Sequence, residues 1–393
     1  MKIEPFQLER WMTKYEVNVQ WDIAESGIFP MSMREIIDLL PESERAETLD
    51  RLLDLRLGYS EARGSAKLRG LIAATYENTS ADEILIATGA IEANYVLFNE
   101  LLTAGDRVVV VEPQYQQLRS VPKAIGCDVV PWKPRHNGGF HFDLDDLREL
   151  AKPGTKLIVI NTPHNPTGAL LSAEDLRAIY DLAEGLDAWI LSDEAYRWLD
   201  VPGSAPLAPP TRDLGPRAIS VGTFSKPFGL PGLRIGWIAA PQDIVRRCWG
   251  MRDYISLSPG KMNDALAVIA FTHRGQIMER TRAVVAENLP FAEQWFAANS
   301  ELVSWTAPRG GLLALMKYEL DIPSFDLANR LAEEYGVMLA PGSAFGFEGY
   351  LRIGIGNEPE LFRQGLWQTA RCLNDLREDG VPLKNREVVS AGA

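Results

Sequence analysis

Short β-branched runs alternate with longer amphipathic stretches through the middle of the chain, and this alternation limits the fold more than any other feature. Runs at 84–88, 107–111 (RVVVV), 128–131, 157–160 (LIVI), 189–191, 218–224 and 235–239 read as strands. Ser172, with Asp175 three positions on, forms a helix-capping pattern after the fourth run. Strand, crossover helix, strand, repeated in this way, makes a largely parallel α/β sheet covered on both faces. Such sheets take their ligands just beyond the carboxyl ends of the strands. The polar stretches NTPHNPTG, Ser192-Asp193-Glu194 and Ser225-Lys226 fall at those ends.

From about residue 275 the pattern changes. A long helical stretch (278–299) precedes strand-like segments at 303–305, 312–317 and 350–355, a Gly-rich turn Pro308-Arg309-Gly310-Gly311, and a helix at 325–335. This reads as a smaller α+β domain, and 393 residues exceed what one core usually serves. The expected division is a large domain over 46–285 and a small domain over 286–393, with an N-terminal segment, 1–45, packing against the latter. The polar stretch after Gly380 is expected to fray.

The net charge of -13 opposes nucleic acid or an anionic membrane as partner, since both are bound by basic patches. It also argues against a DNA-binding regulator, for which a basic extra module is needed. Cys127, Cys248 and Cys372 are widely spaced and match no metal or disulfide pattern, so buried inert thiols are expected. The charged start MKIEPFQLERWMTKYE is unlike a signal peptide, and no apolar run spans a membrane, so the cytoplasm is the expected location.

Five segments bring polar and chemically active residues in a fixed order: TGAIEAN (88–94), EPQYQQL (112–118), NTPHNPTG (161–168), SDEAY (192–196) and TFSKPFGLPGLRIGW (223–237). NPTG alone is a common turn and a Ser-Lys pair alone means nothing, but the ordered set is specific. Over roughly residues 50–360 the chain resembles the class I/II aminotransferases, fold type I enzymes that use pyridoxal 5′-phosphate (PLP). The resemblance implies a homodimer that moves an amino group between an L-amino acid and a 2-oxo acid.

PLP needs a lysine amine, a carboxylate at its pyridine nitrogen, donors at its phenolic oxygen, a ring over one face and an anion cradle for its phosphate. By position, the resemblance makes Lys226 the Schiff-base lysine and the base that moves the Cα proton. Asp193 would pair with the pyridine nitrogen, and Tyr196 and Asn165 would donate to the phenolic oxygen. Gly89, Ala90 and Ile91 would open the phosphate helix, completed by Thr223, Ser225 and Arg234. Tyr115 would stack on the ring, and Tyr59 would reach the phosphate site of a neighbouring subunit. Arg352, in YLRIGIG, would hold the substrate carboxylate with its planar fork, next to Asn165.

One segment departs from the family pattern. WDIAESGIFPMSMREI (21–36) replaces the usual Gly-Glu/Gln-Pro type of segment and is similar to the opening of capreomycidine-synthase-like PLP enzymes, which cyclise hydroxylated arginine. Elimination or cyclisation of a side-chain-activated amino acid is therefore the alternative to transamination. By family position Glu25 and Gly27 face the substrate, and an acid at Glu25 or Asp22 favours a cationic side chain such as a guanidinium.

Overall fold

The computed structural model describes residues 2–135 and 140–384. Its strands are β1 (Trp21–Asp22), β2 (Ile84–Ala87), β3 (Arg107–Val111), β4 (Asp128–Trp132), β5 (Thr155–Asn161), β6 (Trp189–Asp193), β7 (Ala218–Thr223), β8 (Gly236–Ala239), β9 (Val303–Trp305), β10 (Leu313–Tyr318), β11 (Val337–Met338), β12 (Ala340–Pro341) and β13 (Tyr350–Gly354). The large sheet runs in the order β2-β8-β7-β6-β5-β3-β4. All its pairings are parallel except those of β8, which lies antiparallel to both β2 and β7. Every residue of β2, β7 and β8 is buried, as are Val108–Val111 of β3, because helices cover both faces. That burial is why these strands read as unbroken apolar runs rather than as an alternation. The sheet, its helices and the added antiparallel layer are the fold type I architecture expected from the resemblance.

The second sheet is antiparallel, in the order β12-β13-β10-β9. Arg352 lies opposite Leu315 of β10 and Ala340 of β12, so the central strand carries it. The helix preceding this layer spans Arg274–Ala298, starts four residues before the expected 278, and runs through Pro290. A closing helix, Pro359–Glu378, packs Phe362, Leu366 and Leu373 into the same core and has no counterpart among the expected elements.

The N-terminal segment is divided between the two layers. Leu8, Trp11, Tyr15, Ile23 and Ile28 share a core with Leu313, Leu327, Ile353 and Phe362. Ile36 and Ile37 share another with Phe224, Trp237 and Phe271 beside the large sheet. The helix Gln7–Tyr15 buries Leu8, Trp11 and Tyr15, one stripe of its surface. It is tied to both layers: Trp11 Nε1 donates to Asn329 Oδ1 at 2.9 Å, and the Gln7 amide donates to Gln116 Oε1 at 3.0 Å.

Residues 381–384, expected to fray, are instead held by an Asp321 amide to Pro382 carbonyl bond of 2.8 Å and a Leu320–Leu383 bridge. The remainder of that stretch, 385–393, lies outside the described residues. All three cysteines are free; Cys248 and Cys372 are buried as expected, but Cys127 is half-buried, at the sheet edge just before β4. Among the described residues no helix is long and apolar enough to cross a membrane.

Candidate active site

A cavity of about 460 Å³ opens at the carboxyl ends of β5, β6 and β7, beneath the helix Gln7–Tyr15. Asn161 and Asp193 end β5 and β6, and Lys226 follows β7 by three residues. Ala90, Ile91, Tyr115, Asn165, Asp193, Tyr196, Thr223, Ser225, Lys226, Arg234, Arg352 and Glu25 all line this one space. Segments up to 327 residues apart in sequence (Glu25 to Arg352) thus converge, most of them at strand ends.

Asp193 is 5% exposed, with Oδ2 accepting from Asn94 Nδ2 at 2.8 Å and Oδ1 from the Ala195 amide at 3.0 Å. Burial pushes its carboxyl up, and these two donors work against that. A buried acid so placed can face a protonated ring nitrogen at little further cost. Asn161 Nδ2 donates to the Asp193 carbonyl at 2.7 Å, and its Oδ1 accepts from the Asn165 amide, also at 2.7 Å. One side chain therefore sets both the carboxylate turn and the Asn165 loop.

Lys226 Nζ donates to Glu25 Oε1 at 3.1 Å. The same oxygen accepts from the amides of Ser26 (2.8 Å) and Gly27 (3.0 Å). The Lys226 ammonium holds the Glu25 carboxyl down at about 2, against the opposing pull of burial. Burial alone would lower the lysine, but Glu25 and then Tyr196 more than offset it, leaving Lys226 raised. Burial raises the Tyr196 hydroxyl, although Lys226 and Arg352 pull it down.

Arg352 is 2% exposed; Nη2 donates to the Ala24 carbonyl at 2.8 Å and Nη1 to Asn165 Oδ1 at 3.3 Å, while Nε has no partner. The guanidinium lines the cavity with only two of its donors engaged among the described residues, which leaves donor capacity for a carboxylate.

The phosphate cradle is built by shape. Gly89 caps the helix Ala90–Leu101 with φ 82°, a region L side chains rarely adopt, and a Cβ there would lie 2.7 Å from Arg234 Nη2. Arg234 itself takes φ 50° and donates to the Thr88 carbonyl at 3.3 Å. Thr223 and Ser225 hydroxyls lie 3.1 Å apart beside it. Free helix-start amides, two hydroxyls and a guanidinium suit a phosphate. The buried Asp193, the cavity-facing Lys226 and this cradle together fit PLP, which supplies an electron sink for the Cα carbon when bound.

These features define a fold type I PLP enzyme. Residues 38–365 match the family of class I and II aminotransferases, and the chain belongs to it. It is 35% identical to the capreomycidine synthase of Streptomyces vinaceus over 91% of this chain and 90% of that one. Its structure superposes on a PLP-dependent aminotransferase from Streptococcus suis with a TM-score of 0.89 and 32% identity, covering 95% and 99% of the two chains. A PLP-dependent cyclase, OrfR, gives a TM-score of 0.85 at 33% identity, covering 95% and 98%.

Not every expected residue joins the cavity. Tyr59 is 85% exposed and lies outside it. Gly27 adjoins it through backbone alone: a Cβ there would sit 3.1 Å from Lys226 Cα. Of the two acids expected to favour a cationic side chain, Glu25 lines the cavity and Asp22 does not. Asp22 Oδ1 accepts from the Ala24 and Glu25 amides at 2.9 and 3.1 Å and is absent from the lining, while Glu25 is engaged by Lys226. Burial and Glu25 raise Asp22 to about 6.

Other lining residues escaped the sequence reading: Glu9, Met12 and Glu16 on the roof, and Asn94, Gln117 and Ser26 below. The three roof residues stand three and four positions apart, hence on one helix face, each one position beyond the buried stripe Leu8-Trp11-Tyr15. That amphipathic register was the available signal. Tyr115 donates its hydroxyl to Glu9 Oε1 at 2.7 Å, and burial followed by Glu9 raises that phenol.

Proposed function

We propose that this protein activates the Cα of an α-amino acid and ends the reaction in elimination and ring closure of the side chain. Arg352 holds the substrate carboxylate, and Lys226 takes the Cα proton. The observation that carries the reading is the Glu25 carboxylate, 3.1 Å from Lys226 Nζ and inside the cavity. Transamination needs one proton carrier working between two carbons. Loss of a side-chain oxygen needs a second, to protonate the departing group.

Glu25 suits that second role through its own electrostatics. The positive charge on Lys226 is the main force that keeps it ionised, and burial acts in the opposite direction. When the lysine is neutral, burial raises Glu25 towards a proton-holding acid. The balance is then simple: the Cα proton goes to Lys226, the leaving oxygen departs as water with a proton from Glu25, and a side-chain nitrogen closes the ring, its own proton passing to the Glu25 carboxylate and restoring the acid. The Cα proton returns at the end, so one water is lost, no oxidant is used and no amino acceptor is needed. The 35% identity with a capreomycidine synthase and the likeness to the OrfR cyclase support this outcome and an arginine-derived substrate.

Transamination to a 2-oxo acid is the second reading, favoured by the family and by the Streptococcus suis neighbour. Incubation with arginine and its hydroxylated forms, with and without pyruvate or 2-oxoglutarate, separates the two. Loss of water without an acceptor supports the cyclase; formation of a 2-oxo acid only with an acceptor overturns it. In either case we propose a cytoplasmic homodimer, with Tyr59 serving the partner's site. Sedimentation of a PLP-replete monomer would contradict that assembly.

A further inference from the structure

The charges of the cavity are arranged unequally. Its floor carries Lys226, Arg234 and Arg352 together with Glu25 and Asp193, and each of those two acids has identified donors. Its roof carries two more acids, Glu9 and Glu16, and no base. Neither roof carboxylate has an ion-pair partner among the described residues. Lys14, on the same helix, is engaged with Glu333 at 2.8 Å, and Arg119 pairs with Glu4 at 3.6 Å. Among the described residues Glu9 accepts from the Tyr115 hydroxyl alone.

A second observation points the same way. Gln117 is 6% exposed, lines the same cavity, and has a side-chain oxygen without a donor among the described residues. A buried acceptor left unpaired is costly and calls for a donor from a ligand. Met12 stands between the two acids on the roof face and offers an apolar surface for a methylene stem.

We propose that Glu9 and Glu16 select the substrate, admitting α-amino acids whose side chain ends in a positive charge. The amino acid would span the cavity, its carboxylate on Arg352 at the floor and its cationic end under the roof. A guanidinium, with five donors in a plane, can serve both carboxylates at once; an ammonium has three. The inference rests on the reading of this cavity as an amino-acid site, and it replaces 22–25 with the roof as the source of selectivity.

The test is a titration of the holoenzyme, following the cofactor absorption band, with L-arginine, L-lysine, and the uncharged L-citrulline and L-norleucine. Arginine should bind about tenfold more tightly than citrulline, its near-isostere, as expected for two ion pairs, one to the half-buried Glu9 and one to the exposed Glu16. Glu9→Gln and Glu16→Gln should each reduce that preference about three- to fivefold, and the double variant should abolish it. Added salt should weaken arginine binding to the unaltered enzyme more than citrulline binding, a check that needs no variant.

Equal binding of arginine and citrulline, or a double variant with an unchanged ratio, overturns the proposal. A band that responds to norleucine but not to arginine or lysine overturns it while leaving the amino-acid site standing. Borohydride reduction and peptide mapping on the same preparation separate the deeper failure: a cofactor found on a lysine other than Lys226 removes the site on which the proposal rests.

Discussion

The floor and the roof of this cavity are made in different ways. Most floor groups belong to a strand end or to the turn just after it: Asn161, Asp193, Thr223, Ser225 and Lys226 all stand within three residues of a strand's last position, while Arg352 comes from the middle of β13. The backbone of the first five is pinned by the parallel ladder beneath them. The roof is a nine-residue helix near the N-terminus, held by side-chain bonds to Gln116, Tyr115 and Asn329 from two different layers. The floor is therefore rigid and serves the chemistry, whereas the roof is an added piece that can vary what is admitted without disturbing the sheet. Regions built on strand ends keep a reaction, and regions laid across them tune it.

The sharpest way to break this division is at the floor. Lys226→Ala should abolish turnover by about 10⁴-fold or more, because in the proposed mechanism the same amine would carry the cofactor and move the proton. Borohydride should then fix no phosphopyridoxyl group on the chain, as read by mass spectrometry. Residual turnover at wild-type level would show that the floor assignment is wrong.

Arg352→Lys keeps the charge but loses the planar fork and its anchors on Ala24 and Asn165. It should lower kcat/KM about 10- to 100-fold for every amino acid alike. A loss confined to cationic substrates would move Arg352 from the common floor to the selective roof, and would blur the contrast.

Asn94→Leu is a subtler test of how the floor is held. The change removes the 2.8 Å donor to Asp193 and leaves the Ala195 amide as the sole remaining one. With burial less opposed, Asp193 should ionise less readily. We expect kcat to fall about tenfold with KM little changed, since a hydrogen bond to a charged group contributes about 1.5–3 kcal/mol. The pH dependence of the cofactor absorption should shift as well, which a purely structural role would not produce.

The smallest effect concerns the segment between floor and roof. Asp22 is raised from 3.8 to about 6 in the folded chain, by burial and by Glu25. The native state thus binds this proton more tightly than the unfolded state, so stability falls as pH rises from 3.8 to about 6 and remains reduced above it. Asp22→Asn cannot ionise, and its amide oxygen can still accept from the Ala24 and Glu25 amides. It should stabilise the protein by about 1–3 kcal/mol above pH 6, with no gain at pH below the unfolded value. Denaturation midpoints across that range decide it. Equal stability at neutral pH would mean that the Asp22 charge is already compensated.

How far the sequence could be read follows the same line. Every strand of the large sheet was visible as a β-branched run, with ends shifted by one or two residues, as at 155–161 against the expected 157–160. The antiparallel orientation of β8 was not visible, because a buried antiparallel strand such as GWIA carries the same unbroken apolar pattern as its parallel neighbours. The helices Gln7–Tyr15 and Pro359–Glu378 passed unnoticed since no strand or motif marks them, although the first has a clear buried stripe.

The amino-acid order by itself determined the parallel sheet, the family and the floor of the site. Hydrophobic periodicity is a local signal, and a parallel sheet places the residues after its strands in one crevice whatever else the chain does. Only the tertiary structure decided that Glu25 reaches Lys226 across 201 positions, that Asp22 turns to the backbone, and that Glu9 and Glu16 close the cavity. Those contacts depend on how the N-terminal segment is shared between two cores. That partition is set by packing among dozens of side chains distant in sequence, and no short spacing records it.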